Sequence, residues 1–118
     1  MSEPAKGIFL VLSTSQTPGQ EDAFQDWYQR THIPDVLSTG LFLRVSFWRS
    51  ATPSPEGQPT FVAIYETARE DLPELLQELY AHIPEWHAKG HRNPEMKPLT
   101  AVTYLKVSQT EAPASGDA

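Results

Sequence analysis

One short segment, DWYQRTHIPDV at residues 26–36, concentrates side chains that are suited to proton transfer. His32 follows Tyr28 by four residues, so the two side chains share one face of a helix. Pro34 disfavours helical backbone at the residue before it, and we therefore expect the first helix to end near His32. There the negative end of the helix dipole favours a protonated imidazole, and Asp35, three residues on, is placed to orient the ring.

These three residues are the predicted catalytic set. His32 would act as a general acid or base near neutral pH, Asp35 would hold its tautomer, and Tyr28 would donate a hydrogen bond to an oxyanion. Each also has a structural interpretation. His32 could cap the helix by bonding a carbonyl, Tyr28 could be an aromatic at the edge of the core, and Asp35 could be a favourable acid at a helix start.

Further substrate contacts are predicted from aromatic and cationic residues elsewhere in the chain. Arg44 alternates with Trp48 on a strand, so it could bind a carboxylate or phenolate, or instead form a salt bridge across a dimer. Trp86 and His87 lie in a segment that could cover a cleft as a lid. The full set of predicted substrate contacts is Trp27, Arg44, Trp48, Tyr65, Trp86 and His87, although Trp27 shares a helical stripe with Phe24 and could equally belong to the core.

A second histidine cluster comprises His82, His87 and His91. The spacing of His87 and His91 can place two imidazoles on one metal, but no acidic third ligand stands at helical spacing. Gly90 also makes a regular helix doubtful between them. The chain carries no glycine-rich phosphate loop and no Gly-x-Ser-x-Gly motif. We therefore predict no metal and no cofactor.

Composition limits the classes of function. The 118 residues suffice for one compact domain, 39% of them are apolar, and cysteine is absent. A formal net charge of −6 argues against nucleic acid as a partner. No stretch approaches the roughly 20 apolar residues of a membrane span, and the N-terminus lacks the flank and cleavage site of a signal peptide. A cytoplasmic protein is the expectation.

Hydrophobic patterns predict the elements that position these residues. One helix begins at Glu21, and a short turn opened by Pro34 follows it. The second helix begins with a cap pair of Asp71 and Glu74, is interrupted by Pro84, and gives way to an irregular segment at 85–95. Four strands are predicted at 7–13, 41–49, 60–66 and 99–107.

This order, βαββαβ, predicts an α+β ferredoxin-like fold: a four-stranded antiparallel sheet with helices on one face. Residues 1–107 would form a single domain and the polar residues 108–118 a disordered tail. The second face of the sheet is half apolar, with Phe42 and Trp48 in one strand and Tyr104 in another. Such a face should be covered, and a second copy of the chain in a homodimer would cover it.

The chain resembles the dimeric α/β-barrel superfamily, in which two ferredoxin-like subunits pack sheet to sheet. Within residues 7–107, the segment FQDWYQRTHIPDVLSTGLF is similar to EthD-like and polyketide-cyclase-like small proteins, with their aromatic-Tyr-x-x-x-His-x-Pro-Asp pattern. The resemblance implies a homodimer with a pocket between helices and sheet. The superfamily includes cyclases, decarboxylases, dehydratases, cofactor-independent monooxygenases, haem-binding enzymes and members without known activity.

The residues and the resemblance together predict a cofactor-independent enzyme. It would act by acid/base chemistry on a small, largely apolar, aromatic or polyketide-like substrate, through cyclisation, dehydration or decarboxylation. Two alternatives stay open. One is a cofactor-free or haem-dependent monooxygenase on the same fold, and the other is a non-catalytic dimer that binds a ligand.

Overall fold

The computed structural model describes residues 3–52, 55 and 57–114. Its strands and helices follow the βαββαβ order, with each helical unit divided into short segments. The elements are β1 (Gly7–Ser15), α1 (Glu21–Trp27), a π-helical turn (Tyr28–His32), α2 (Ile33–Ser38), β2 (Arg44–Arg49), β3 (Phe61–Thr67), α3 (Leu72–Tyr80), α4 (Ile83–Ala88) and β4 (Met96–Leu105).

The four strands form one antiparallel sheet in the order β2-β3-β1-β4. The central strand β1 pairs with β3 on one side and with the edge strand β4 on the other, where the register shifts between Leu12 and Ser13. Alternate residues of the central strands, such as Phe9 and Tyr65, are buried toward the helices. The α+β ferredoxin-like fold is confirmed.

The core lies between this sheet face and the helices. Phe24 of α1, Val36 of α2 and Trp86 of α4 are buried there, together with Leu75 and Leu79 of α3. Burial of each large apolar side chain contributes about 1.5–3 kcal/mol relative to exposure. Packing of the apolar stripes, more than the propensity of such short helices, therefore holds the helical layer in place.

The first helical unit differs from its prediction, because it does not end at His32. The backbone stays in the right-handed helical region through the π-helical turn and into α2. The N–H of Ile33 bonds the carbonyl of Tyr28, five residues back, which widens the turn. Pro34 then falls in the first turn of α2, where a missing N–H costs little.

The second helical unit also departs from its prediction at two points. Asp71 makes no capping bond, because its carboxylate accepts hydrogen bonds from Arg69 at 2.9 and 2.6 Å. Pro84 does not open an irregular segment but occupies the first turn of α4. The segment predicted as irregular thus begins with a short helix, which ends before Gly90.

The second strand is shorter than predicted and begins at Arg44. Phe42 precedes it, is buried, and packs against the ring of Tyr65 with a centroid separation of 5.4 Å. Phe42 is therefore a core residue and does not contribute to the open face of the sheet.

Residues 108–114, within the predicted tail, carry no regular secondary structure, and 115–118 lie outside the described residues. Among the helices described here, none has the length and apolar character to cross a membrane.

Candidate functional site

A cavity of about 530 Å³ lies between the helices and the β1–β4 side of the sheet. Volumes of this order hold small organic ligands. The floor includes Phe9, Tyr65 and Ala101, and the helices contribute Trp27 and Trp86 to the walls. The lining is thus mainly aromatic and aliphatic, with a few polar groups that converge on it.

The loop after α4 forms one side of the cavity, and glycine fixes its course. Gly90 has φ of 78°, a left-handed conformation that glycine adopts without strain. Its N–H bonds the carbonyl of His87, and the N–H of His91 bonds the carbonyl of Trp86. This pair of bonds is a Schellman motif, which ends the helix and directs the chain at His91 along the cavity.

His32 lines the cavity within a group of aromatic rings. Its imidazole stacks on Trp27 with a centroid separation of 5.2 Å and lies edge-on to Tyr28 at 4.8 Å and to Trp86 at 6.3 Å. Burial lowers the pKa of His32 to about 4, against the opposing charge of Asp35. The ring is therefore neutral near pH 7. Across the described residues, it forms no hydrogen bond, so the helix-cap interpretation is not observed.

Tyr28 and Tyr65 form a buried pair, with their hydroxyl oxygens 2.8 Å apart. Burial raises the pKa of Tyr28 to about 12, and burial together with Tyr28 raises that of Tyr65, so both stay protonated. Tyr28 also stacks on Phe47 at 4.5 Å. Neither tyrosine has appreciable exposed surface. Tyr28 packs against His32, and its hydroxyl already has Tyr65 as a partner.

The sequence predicts that Asp35 orients His32. In the structure Asp35 instead bonds another histidine. Its Oδ2 lies 2.8 Å from Nδ1 of His91. The indole N–H of Trp27 donates to the backbone carbonyl of His91 at 3.1 Å, which ties the loop to the first helical unit. Asp35 and His91 are 56 positions apart in the chain, so no local spacing indicates this pair, and the sequence pattern groups His91 with His82 and His87 instead.

The remaining predicted contacts divide between the two faces of the sheet. Trp27, Tyr65, Trp86 and His87 line the cavity with the predicted catalytic residues. Arg44 and Trp48 do not line the cavity. The pleat of β2 directs Val45 and Phe47 to the helices, so Arg44 and Trp48 lie on the other face of the sheet. Arg44 forms an ion pair with Glu66 of the same chain at 2.8 Å, and Trp48 is 60% exposed.

Sequence reasoning missed one cation of the cavity. Arg92 lines it, and the other four arginines each pair with a carboxylate, whereas Arg92 has no ion pair within the described ranges. The one sequence feature that could have indicated Arg92 as a cavity residue is its position directly after His91. Among all the residues that the structure describes, no group of three or more His, Asp or Glu side chains is arranged to hold a metal ion.

Comparisons with known proteins bear on the family and the fold. A family model described as "Domain of unknown function (DUF4286)" matches residues 11–104, which include every cavity residue except Phe9. The crystal structure of HapK from Hahella chejuensis is similar at a TM-score of 0.58 over 92% of this chain and 99% of that chain, with 11% sequence identity. No match was found among curated proteins. The ferredoxin-like fold is thus supported, while the EthD-like resemblance is not confirmed.

Proposed function

The chain belongs to the DUF4286 family, and we propose that it is a cofactor-independent enzyme that moves protons on a small, largely apolar substrate. One observation carries this proposal: a neutral, unbonded imidazole, that of His32, lines an aromatic cavity of ligand size. The rings of Trp27, Tyr28 and Trp86 pack around this imidazole and hold it in place.

The walls favour a planar, aromatic or polyketide-like molecule. Trp27 and Trp86 offer ring surfaces on which such a molecule can stack, and Val11 and Met96 add aliphatic contacts. A neutral imidazole has one N–H donor and one nitrogen acceptor, so His32 can bond a substrate oxygen or exchange a proton with it. Tyr28 would act indirectly, by packing against this ring.

Enolisation needs only these parts, because the reaction removes a proton beside a carbonyl and stabilises the resulting oxygen anion. Cyclisation, dehydration and decarboxylation of polyketide-like molecules can proceed through such enolates. The proposed site therefore suits those reactions without calling for an added redox group.

Hydrogen–deuterium exchange tests the proposal directly. Benzoylacetone, an aryl diketone with acidic protons, would be incubated with the protein in D₂O at neutral pD, and loss of the proton signal between the carbonyls followed by NMR. We expect exchange faster than in buffer. His32→Ala should reduce the catalysed rate by about 10²–10³-fold, the usual cost of removing one hydrogen-bond donor to a developing oxygen anion. Tyr28→Phe should cost less, because the ring stays packed.

His82→Gln is the matched control, since His82 lies outside the cavity lining. Circular dichroism of each variant would establish that it is folded. Exchange no faster than in buffer, or a His32→Ala protein as active as wild type, would contradict the proposal.

The active form is proposed to be a homodimer in which a second copy covers the open sheet face. Pleat alternation places Ile8, Leu10 and Ile64 on that face, opposite the buried residues of β1 and β3. Trp48 and Tyr104 are 60% and 55% exposed there. An apolar sheet surface of this kind is typical of an interface, and a two-fold arrangement buries it in both copies.

A further inference from the structure

We propose that His91, held by Asp35, is the proton acceptor of the cavity and that Arg92 binds the anion produced. The substrate class would then be a planar aromatic molecule with an acidic O–H, or with an acidic C–H beside a carbonyl. This inference rests on the proposed function, since it assigns the proton transfer of the same cavity to particular atoms.

The geometry of the Asp35–His91 pair fixes the role of each ring nitrogen. A carboxylate 2.8 Å from Nδ1 accepts the N–H of that nitrogen, which leaves the lone pair of Nε2 free. The same carboxylate stabilises the imidazolium that forms when Nε2 takes a proton. The side chain of Asp35 is only 14% exposed, whereas that of His91 is 35% exposed, so the histidine is the member that a ligand can reach.

His32 is less suited to this step, because its ring is enclosed by Trp27, Tyr28 and Trp86 and, within the described structure, no carboxylate is hydrogen-bonded to it. A charged imidazolium would be poorly solvated there. His32 would instead remain neutral and donate a hydrogen bond to the substrate oxygen. The two histidines thus have different tasks, set by their surroundings.

Arg92 supplies the positive charge that the product anion needs. It is the only Lys or Arg in the described lining of the cavity, and it follows His91 directly. The other arginines are each neutralised by an acid, so Arg92 is the cation that a ligand oxygen can pair with. Phenolate and enolate oxygens are the anions that fit beside an aromatic cavity.

The proposed step is balanced within the site. The O–H or C–H bond of the substrate breaks, its electron pair stays on the substrate as phenolate or enolate, and the proton forms a new N–H bond at Nε2 of His91. Return of that proton to another carbon completes a tautomerisation, which consumes no oxidant or reductant.

Ionisation of bound 4-nitrophenol tests this inference without turnover, because its phenolate absorbs at longer wavelength than the phenol. An apolar cavity alone raises the pKa of a bound phenol, whereas a nearby cation, either Arg92 or a His91 that has taken the phenol proton, lowers it. We expect the ionisation midpoint of the bound probe to lie about one pH unit below its midpoint in buffer. This corresponds to a tenfold change in the ratio of phenolate to phenol at a given pH. His91→Gln, Asp35→Asn and Arg92→Gln should each remove that shift, and Asp35→Asn should do so while the probe still binds.

His82→Gln and Arg30→Gln are the matched controls, since both residues lie outside the cavity lining, and both should retain the shift. A midpoint at or above the value in buffer, a shift that survives His91→Gln, or no binding of the probe would overturn the inference. If the wild-type protein catalyses hydrogen–deuterium exchange but His91→Gln leaves the 4-nitrophenol midpoint unchanged, this inference alone is overturned. A His91-dependent shift without exchange would instead contradict the proposed enzymatic function.

Discussion

At the scale of single residues, burial decides the chemistry of His32. Its position near the end of a predicted helix suggested that the helix dipole would favour the protonated ring, by about 0.3–1 kcal/mol. The structure reverses this expectation, because the helix continues past His32 and the enclosing rings remove water from the imidazole. The result is a neutral histidine whose pKa is lowered to about 4.

This burial predicts a pH dependence of stability. Between pH about 4 and 6.5 the unfolded chain binds a proton at His32 that the folded protein does not, so the free energy of unfolding rises with pH across this window. The shift corresponds to a loss on the order of 3 kcal/mol as the pH falls through the window. Urea denaturation at a series of pH values would measure it.

His32→Gln is the informative comparison, since an amide does not titrate. The variant should show a shallower slope of unfolding free energy against pH in this window than wild type, whatever its absolute stability. Equal slopes for wild type and His32→Gln would mean that His32 titrates normally.

At the scale of elements, the π-helical turn at Tyr28–His32 explains how one continuous helical unit accommodates Pro34. Proline inside an α-helix clashes with the carbonyl four residues back and usually costs about 3 kcal/mol. Here the widened turn precedes Pro34, which lies in the first turn of α2. Turns of this kind occur frequently at functional sites, and this one carries both Tyr28 and His32.

We therefore expect Pro34→Ala to change the free energy of unfolding by less than about 1 kcal/mol, instead of the gain of about 3 kcal/mol expected on removing proline from a helix interior. Chemical denaturation monitored by tryptophan fluorescence would measure the change. Since Pro84 occupies the same position in α4, Pro84→Ala provides a second test, and a large stabilisation in either variant would show that the proline is strained.

At the scale of the whole molecule, the two faces of the sheet have different roles. One face carries the core and the cavity, while the other presents apolar side chains without a covering layer in the single described chain. The proposed homodimer would cover the second face and leave each cavity within its own subunit.

Light scattering tests this arrangement. We expect wild-type protein at micromolar concentration to have the mass of a dimer, and the double variant Trp48→Glu/Tyr104→Glu to have that of a folded monomer, because like charges would then be buried in the interface. Leu37→Glu is the control, since Leu37 is exposed on the helical side and should leave the dimer intact. A wild-type monomer under these conditions would refute the interface.

The sequence by itself determined the order of elements and the alternation of side chains between the two faces of the strands, because strand alternation and helical periodicity are local patterns. It also identified His32, Tyr28, Asp35 and Trp86, four residues that do meet at the cavity. The tertiary structure decided which of them interact. Asp35 bonds His91 because the Schellman turn at Gly90 brings a distant loop back to the first helical unit.

Two further features also depended on the three-dimensional arrangement. Neutrality of His32 arises from rings contributed by two helical units, a desolvation that no local spacing encodes. Separation of Arg44 and Trp48 from the cavity follows from which sheet face the helices cover. Local patterns are set by neighbours along the chain, whereas partners and burial are set by contacts between residues far apart in it, and the chemistry of this cavity depends on the second kind.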